Sequence, residues 1–307
     1  MNEYYPEGFK KETYISTSSI MNLTTLIKAK EEGTILQSRV IMCDSDRNMT
    51  VDLGGIKGII PREEGAIGIK EGITKDIALI SRVGRTVCFT VTDIVNDSSG
   101  KIYALLSRKN AQQLCIDNKI SFMSVGDIID AKITHLENFG AFCDIGCGNI
   151  ALMPIDLISV SRISHPSDRF FVGQNIKAIV KSIDEMGRIT LSHKELLGTW
   201  EENVERYSIG QTVSGIVRSV EDYGVFVELT PNLAGLAESK ENVRVGDLAS
   251  VYIKNIIPQK MKIKLIIIDT FERAQRPEFE YFYHGENIKE FMYSPEVSEK
   301  EIYTKFY

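Results

Sequence analysis

Two short runs, Phe139-Gly140-Ala141-Phe142 and Tyr223-Gly224-Val225-Phe226, repeat one arrangement of rings around a glycine. In a regular strand, two aromatics three residues apart point to opposite faces, because side chains alternate. A glycine between them, able to take a positive φ or a bulged conformation, lets both rings emerge on the same face. Rings exposed on a barrel face are platforms for unpaired bases, each worth about 1–3 kcal/mol and indifferent to base identity. The flanking Glu137, Asn138, Glu221 and Asp222 are polar, which favours an open face over a core. The candidate base-stacking residues are therefore Phe139, Phe142, Tyr223 and Phe226. Lys132, His135 and Arg188 in the first setting, with Arg218, Lys254 and Lys262 in the second, are candidates to hold phosphates and base edges.

Other chemistry is poorly supplied. There is no His-Glu-x-x-His pair, no phosphate-binding or dinucleotide-binding glycine loop and no Gly-x-Ser-x-Gly elbow, so the chain is expected to be no enzyme and to use no cofactor. Cys143 and Cys147 form a lone CxxxC without the second pair a structural zinc needs, so no metal site is expected. The five cysteines are odd in number and lie in apolar runs, as buried reduced thiols do. No apolar run approaches the ~20 residues that cross a bilayer, and a leader pattern is not evident near residue 1, so the expected location is the cytoplasm. A formal net charge of -6 rules out a uniformly basic surface, leaving local faces and ring stacking to do the work.

The elements that position these residues come from an internal repeat. Residues 125–145 (VGDIIDAKITHLENFGAFCDI) overlay residues 209–229 (IGQTVSGIVRSVEDYGVFVEL) without a gap, and 171–192 correspond to 244–266. A diverged copy runs through 33–61 and 82–107, with Arg47 and Thr50 where the rings stand in the others. That copy is expected to lack a stacking platform. Each copy holds about five runs of period-2 alternation, as in Ile129, Ala131 and Ile133, punctuated by Gly, Asn, Asp and Pro. Five short strands of this kind close into a small barrel, which removes exposed edges. The expected fold is thus mainly β: three tandem five-stranded barrels of the oligonucleotide-binding type joined by short helices.

The expected boundaries are an N-terminal extension and helix (1–30), barrel 1 (31–109), a linker (110–124), barrel 2 (125–195), a helical linker (196–208), barrel 3 (209–268) and a tail (269–307). Helical spacing marks 18–33, 107–119 and 192–207, and Trp200 is expected to anchor the last of these on a barrel. Residues 160–173 form an insertion whose Arg162, His165 and Arg169 could reach a ligand, although His165 before Pro166 reads first as a turn residue. Asp184 and Arg188 flank the tight turn IDEMGRI. The tail packs ten aromatics and nine acidic residues into 39 positions and is expected to fold back on barrel 3 or its linker, or else to dock on a protein.

Gly126-Asp127, Phe139 to Phe142, Asp144-Ile145-Gly146, the run Arg162 to Pro166, Val172-Gly173-Gln174 and the stretch Asp184 to Ser192 together resemble the S1 RNA-binding domain. The chain from about 18 to 268 resembles the bacterial ribosomal protein S1 family. The resemblance implies an RNA-binding protein of translation that binds single-stranded mRNA on the small ribosomal subunit, with leading domains, or here the tail, meeting small-subunit proteins. It adds Asp184 to Arg188 as a polar RNA-contacting pair. It also shows a departure: where the family often has a histidine after the third strand, this chain has Pro61, Pro154 and Glu238. The alternative is a protein-interaction scaffold, or an RNA-binding regulator, acting off the ribosome. Salt separates RNA from protein contact, because phosphate-based affinity falls steeply as salt rises.

Overall fold

The computed structural model describes residues 4–9, 22–97, 100–272 and 279–307. The alternating runs close into three barrels of the same topology. The first uses β1 (Leu36–Cys43), β2 (Met49–Asp52), β3 (Lys57–Ile60), β4 (Thr86–Asn96) and β5 (Ile102–Ser107) in the order β1-β2-β3-β5-β4. In the second, β6 (Ile128–Glu137), β7 (Gly140–Gly146), β8 (Asn149–Pro154), β9 (Asn175–Ile183) and β10 (Ile189–Ser192) follow the same circuit. The third repeats it with β11 (Thr212–Glu221), β12 (Gly224–Thr230), β13 (Leu233–Ala237), β14 (Leu248–Ile257) and β15 (Lys262–Phe271). Each barrel is sealed by a parallel pairing of its third and fifth strands, such as Leu236 beside Lys264.

Helix α1 (Leu23–Glu32) starts where the Asn22 side chain accepts the Thr25 N–H at 2.9 Å and stops at Gly33 in the left-handed region. The expected start of this helix at 18–21 lies outside the described residues. A short α2 (Ile77–Ile80) precedes β4, and α3 (Arg108–Asn118) follows barrel 1, capped by Ser107. The third expected helix, 192–207, is divided. Gly198 at φ 83 separates a 3-10 turn at Lys194–Leu197 from α4 (Trp200–Val204), which is closed at its start by a Thr199 and Glu202 capping box. Trp200 is buried in the core of the third barrel, as an anchor requires.

The chain divides into two compact units. One comprises Met1–Met123, Asp130–Lys132 and Asp144–Ile150. Inside it, residues 4–9 are pinned by distant groups: Lys119 Nζ donates to the Tyr4 carbonyl at 2.8 Å and Cys147 N–H to the Tyr5 carbonyl at 2.9 Å. Glu7 is buried, its carboxylate taking Arg108 Nε at 2.7 Å and the Cys88 N–H at 3.1 Å. Cys88, Cys115 and Cys147 lie buried together as free thiols; hydrogen bonding with Cys147 and then burial push the Cys115 thiol up, so it stays protonated and inert.

The other unit comprises Ser124–Ile129, Ile133–Cys143 and Ala151–Tyr307. Within it the tail crosses both barrels. A hairpin of β16 (Glu290–Met292) and β17 (Tyr303–Lys305) brings Ile288 and Phe306 against Ile179 of barrel 2 and Leu196 of the linker, while Tyr293 is buried with the core of barrel 3. Contact with barrel 3 and its linker is as expected, and contact with barrel 2 through Ile179 is additional; positions 273–278 lie outside the described residues. Phe279 and Tyr281 stand edge-on to His193 at 5.1 and 5.6 Å, and the His193 ring meets the Ile158 carbonyl and the Tyr281 hydroxyl at 3.1 and 3.2 Å.

Burial holds His193 well below an ordinary imidazole, at about 4. A depressed base binds fewer protons folded than unfolded, so the stability it contributes is present above about pH 6.5 and lost as pH falls toward 4, about 3 kcal/mol in all. Thermal unfolding between pH 7 and 4.5 is expected to show this loss in the wild type. His193→Gln is expected to flatten that part of the slope, and an unaltered slope in the variant would assign it elsewhere.

Candidate nucleic-acid interface

The two ring pairs are built alike. Phe139 sits with Asn138 in the two-residue turn between β6 and β7, and Phe142 follows on β7. The turn, not a distorted strand, puts them on one face: the rings meet edge-on with centroids 5.9 Å apart and an interplanar angle of 89°. Tyr223 and Phe226 reproduce this at 6.2 Å and 87°. Phe139 is 56% and Tyr223 70% exposed, and their partners are half-buried, so part of each pair stays open to solvent.

Of the two expected conformations, Gly224 takes the positive φ, at 150°, and pairs with Glu221 without a bulge, while Gly140 has no positive φ; both glycines also serve another purpose. A Cβ on Gly140 would lie 2.4 Å from the Met153 carbonyl, and one on Gly224 the same distance from that of Ala237. The glycine thus lets the second strand approach the third closely, which holds the ring-bearing hairpin in place. In barrel 3 the register shift instead lies between Val217 and Ser219.

That shift corrects one candidate. Arg218 sits at the irregularity and turns inward, its side chain 7% exposed, with Nε 2.8 Å from Glu228 and Nη1 3.4 Å from Asp168. It cannot meet a phosphate. Lys132 is corrected too: its ammonium donates to the main-chain carbonyls of Glu7 and Gly8 at 2.9 and 3.0 Å. Two of the three residues named in the 160–173 insertion are likewise structural, while Arg162 is exposed. Arg169 is buried against Glu228, and His165 caps the turn Pro166–Asp168 by accepting the Ser167 N–H, the turn role expected for it.

The remaining candidates stay on the surface. His135 lies against Phe142 with centroids 6.2 Å apart and bonds Glu137 at 2.7 Å. Arg188 Nε donates to Asp184 at 2.7 Å across the β9–β10 turn; the Arg188 N–H and then its guanidinium hold the Asp184 carboxyl below the usual carboxylate range. This is the turn pair read from the sequence, with the guanidinium left largely open. Lys254 rests 3.4 Å from Glu238, both exposed, a contact worth at most about 1 kcal/mol and readily yielded to a phosphate.

Lys262 is exposed at the start of β15. Lys264, two residues on, was missed by the sequence reading. It is also exposed and pairs in register with Leu236, which pairs with Phe226, so a lysine, an exposed leucine and a ring lie in one row across barrel 3. In barrel 1, Arg47 occupies a turn at φ 68 and Thr50 is buried, leaving no ring pair at the matching place.

Residues 123–194 match the family described as S1 RNA binding domain. The chain is 28% identical over 253 residues to a small ribosomal subunit protein bS1 homolog of Bacillus cereus, covering 79% of this chain and 62% of the relative. It is 27% identical over 268 residues to the small ribosomal subunit protein bS1 of Leuconostoc lactis, covering 80% and 59%. Against the Staphylococcus epidermidis protein of the same description the figures are 32% over 229 residues, 72% and 55%. The chain spans about three fifths of the length of these relatives.

Proposed function

We propose that this chain, whose second barrel is an S1 RNA binding domain, binds single-stranded RNA without catalysing a reaction, and does so as a translation protein on the small ribosomal subunit. The observation that carries the reading is the pair of matching edge-on ring platforms, Phe139 with Phe142 and Tyr223 with Phe226, each partly exposed, with His135 beside Phe142 and Lys264 in the row of Phe226. Such faces take unpaired bases by stacking and phosphates by charge, whatever the sequence. His135, Asp184 and Arg188 serve the first platform, and Lys254, Lys262 and Lys264 the second. Relatives named for the small ribosomal subunit support the ribosomal setting, and the RNA proposed as bound is mRNA in the cytoplasm. Among the described residues no helix is long and apolar enough to cross a membrane.

Barrel 1, without rings, is assigned to contact with small-subunit proteins. Exposed Ile73, Ile77, Ile80 and Val83 beside α2 support it, whereas Tyr281, Phe291, Tyr293 and Phe306 of the tail pack on barrels 2 and 3. The domain limits follow as proposed from the repeat, with barrel 3 carried on to Phe271 by its last strand.

Titration of fluorescent single-stranded RNA tests the reading. With two rings removed at about 1–3 kcal/mol each, Phe139→Ala/Phe142→Ala is expected to weaken binding at least tenfold while leaving the fold intact. Unchanged affinity refutes the first platform as the RNA site.

A further inference from the structure

Tandem barrels on a string hold their sites loosely, yet here barrels 2 and 3, the linker and the tail share buried polar contacts. They converge on Asn232, a residue at the β12–β13 turn that is 1% exposed. Its Oδ1 accepts the Val160 N–H from the barrel 2 insertion at 3.0 Å. Its Nδ2 donates to the carbonyls of Lys194 and Gly198 in the linker, both at 2.8 Å, and its own carbonyl accepts the Tyr293 hydroxyl of the tail. Four segments far apart in sequence are thus tied by one side chain and its carbonyl. Beside it the Ser161 N–H donates to the Pro231 carbonyl at 3.2 Å, and Arg169 reaches Glu228. On the far side of the linker the tail fastens barrel 2 again: Phe306 lies in the cluster with Ile179 and Leu196, with Lys181 Nζ 4.6 Å above its ring.

We infer that Asn232 is a positioning residue that, with the tail hairpin as a second fastening, fixes barrels 2 and 3 as one rigid body and so holds the two ring platforms at a constant spacing along a bound RNA strand. This deepens the proposed RNA reading and rests on it. The gain is entropic. When one platform is engaged, a second held at fixed distance meets the same strand without ordering a linker, and the avidity of such a pair can exceed single-site binding by about 10²- to 10⁴-fold. The insertion and the tail, which among the described residues show no counterpart of the two ring pairs, then serve RNA binding from a distance.

Two measurements test this on the full chain. In the first, oligouridylates from about 4 to about 24 nucleotides, bracketing the ~4–16 covered by one barrel of this class, are titrated against wild type, Asn232→Ala and Phe306→Ala. The wild type is expected to show a step in affinity once an oligomer reaches both platforms. Both variants are expected to keep short-oligomer affinity within about twofold and to lose at least about tenfold of the step. A variant that merely unfolds loses short-oligomer binding too, whereas a step of undiminished size in well-folded variants overturns the inference. If the wild type binds no RNA of any length, the ring-platform reading itself falls.

The second measurement needs no RNA. Spin labels at the exposed sites Met186→Cys and Val245→Cys, in a Cys43→Ser background, report the distance between the barrels. A narrow distribution in wild type that broadens in Asn232→Ala supports the rigid body. An equally broad distribution in both refutes it, however RNA behaves.

Discussion

Glu228→Ala is expected to lower the unfolding midpoint of this protein more than any single ring substitution. Glu228 is 3% exposed and is shared by two buried guanidiniums, Arg169 through Nη2 and Arg218 through Nε at 2.8 Å and Nη2 at 3.1 Å. Burial disfavours the charge on Arg169, and the Glu228 carboxylate offsets this. With that carboxylate gone, Arg218 keeps only Asp168 at 3.4 Å and Arg169 keeps the Ser159 hydroxyl at 3.3 Å. Stranding a buried charge costs about 3–5 kcal/mol, several times what an exposed pair is worth. At roughly 2–4 °C per kcal/mol for a body of this size, the midpoint is expected to fall by about 6–20 °C.

The same physics gives the control. Replacing the trio by apolar residues of similar volume (Arg169→Met, Arg218→Met, Glu228→Leu) is expected to recover most of the loss, since a buried ion cluster seldom outperforms good apolar packing. Arg169 Nη1 finds no hydrogen-bond acceptor, which adds to the cost of keeping the charge there. A loss below about 1 kcal/mol in Glu228→Ala would mean that water reaches the cluster and the argument from burial fails.

The barrels were legible because their signal is local and repeated. Alternation gives strands, matched offsets give three copies, and Phe139 and Tyr223 fall in the same two-residue turn because both hairpins close the same way. Arg218 was misplaced because strict alternation assumes an unbroken register. The shift between Val217 and Ser219 sets an extra residue into β11, and side-chain parity changes there. Lys264 could have been found by strand alternation, since Lys262, Lys264, Ile266 and Ile268 share the outer face of β15. Lys132 does lie on the polar side of β6, as read, but its ammonium is taken by residues 7 and 8. No local pattern announces a contact 125 residues away. Aperiodic segments such as the tail and the 160–173 insertion hide their partners for the same reason.

Residues 4–9 support a last prediction, in the other unit. Glu7 accepts Arg108 Nε at 2.7 Å and Nη2 at 3.1 Å, lies 3.6 Å from Arg82, and donates its own N–H to the Asp144 carboxylate at 2.7 Å. Arg108 is 3% exposed, so Glu7→Ala leaves it with little beyond the Gly65 carbonyl at 3.2 Å, and a loss of about 3–5 kcal/mol is expected for this unit. Asp144 adds an independent readout. Burial first, and the Glu7 charge second, push its carboxyl up to about 6. A raised acid binds more protons folded than unfolded, so the stability it contributes is present below about pH 4 and lost as pH rises through 6. Hydrogen exchange in Val87 to Val91 and Asp144 to Ile150 is therefore expected to be slower at pH 5 than at pH 7, after correction for intrinsic rates. In Glu7→Ala that pH dependence is expected to shrink, because one of its two main causes has been removed. If exchange in these segments is unaffected by the substitution, then residues 4–9 rest on the unit without holding it together, and the buried carboxylate is not what ties them to it.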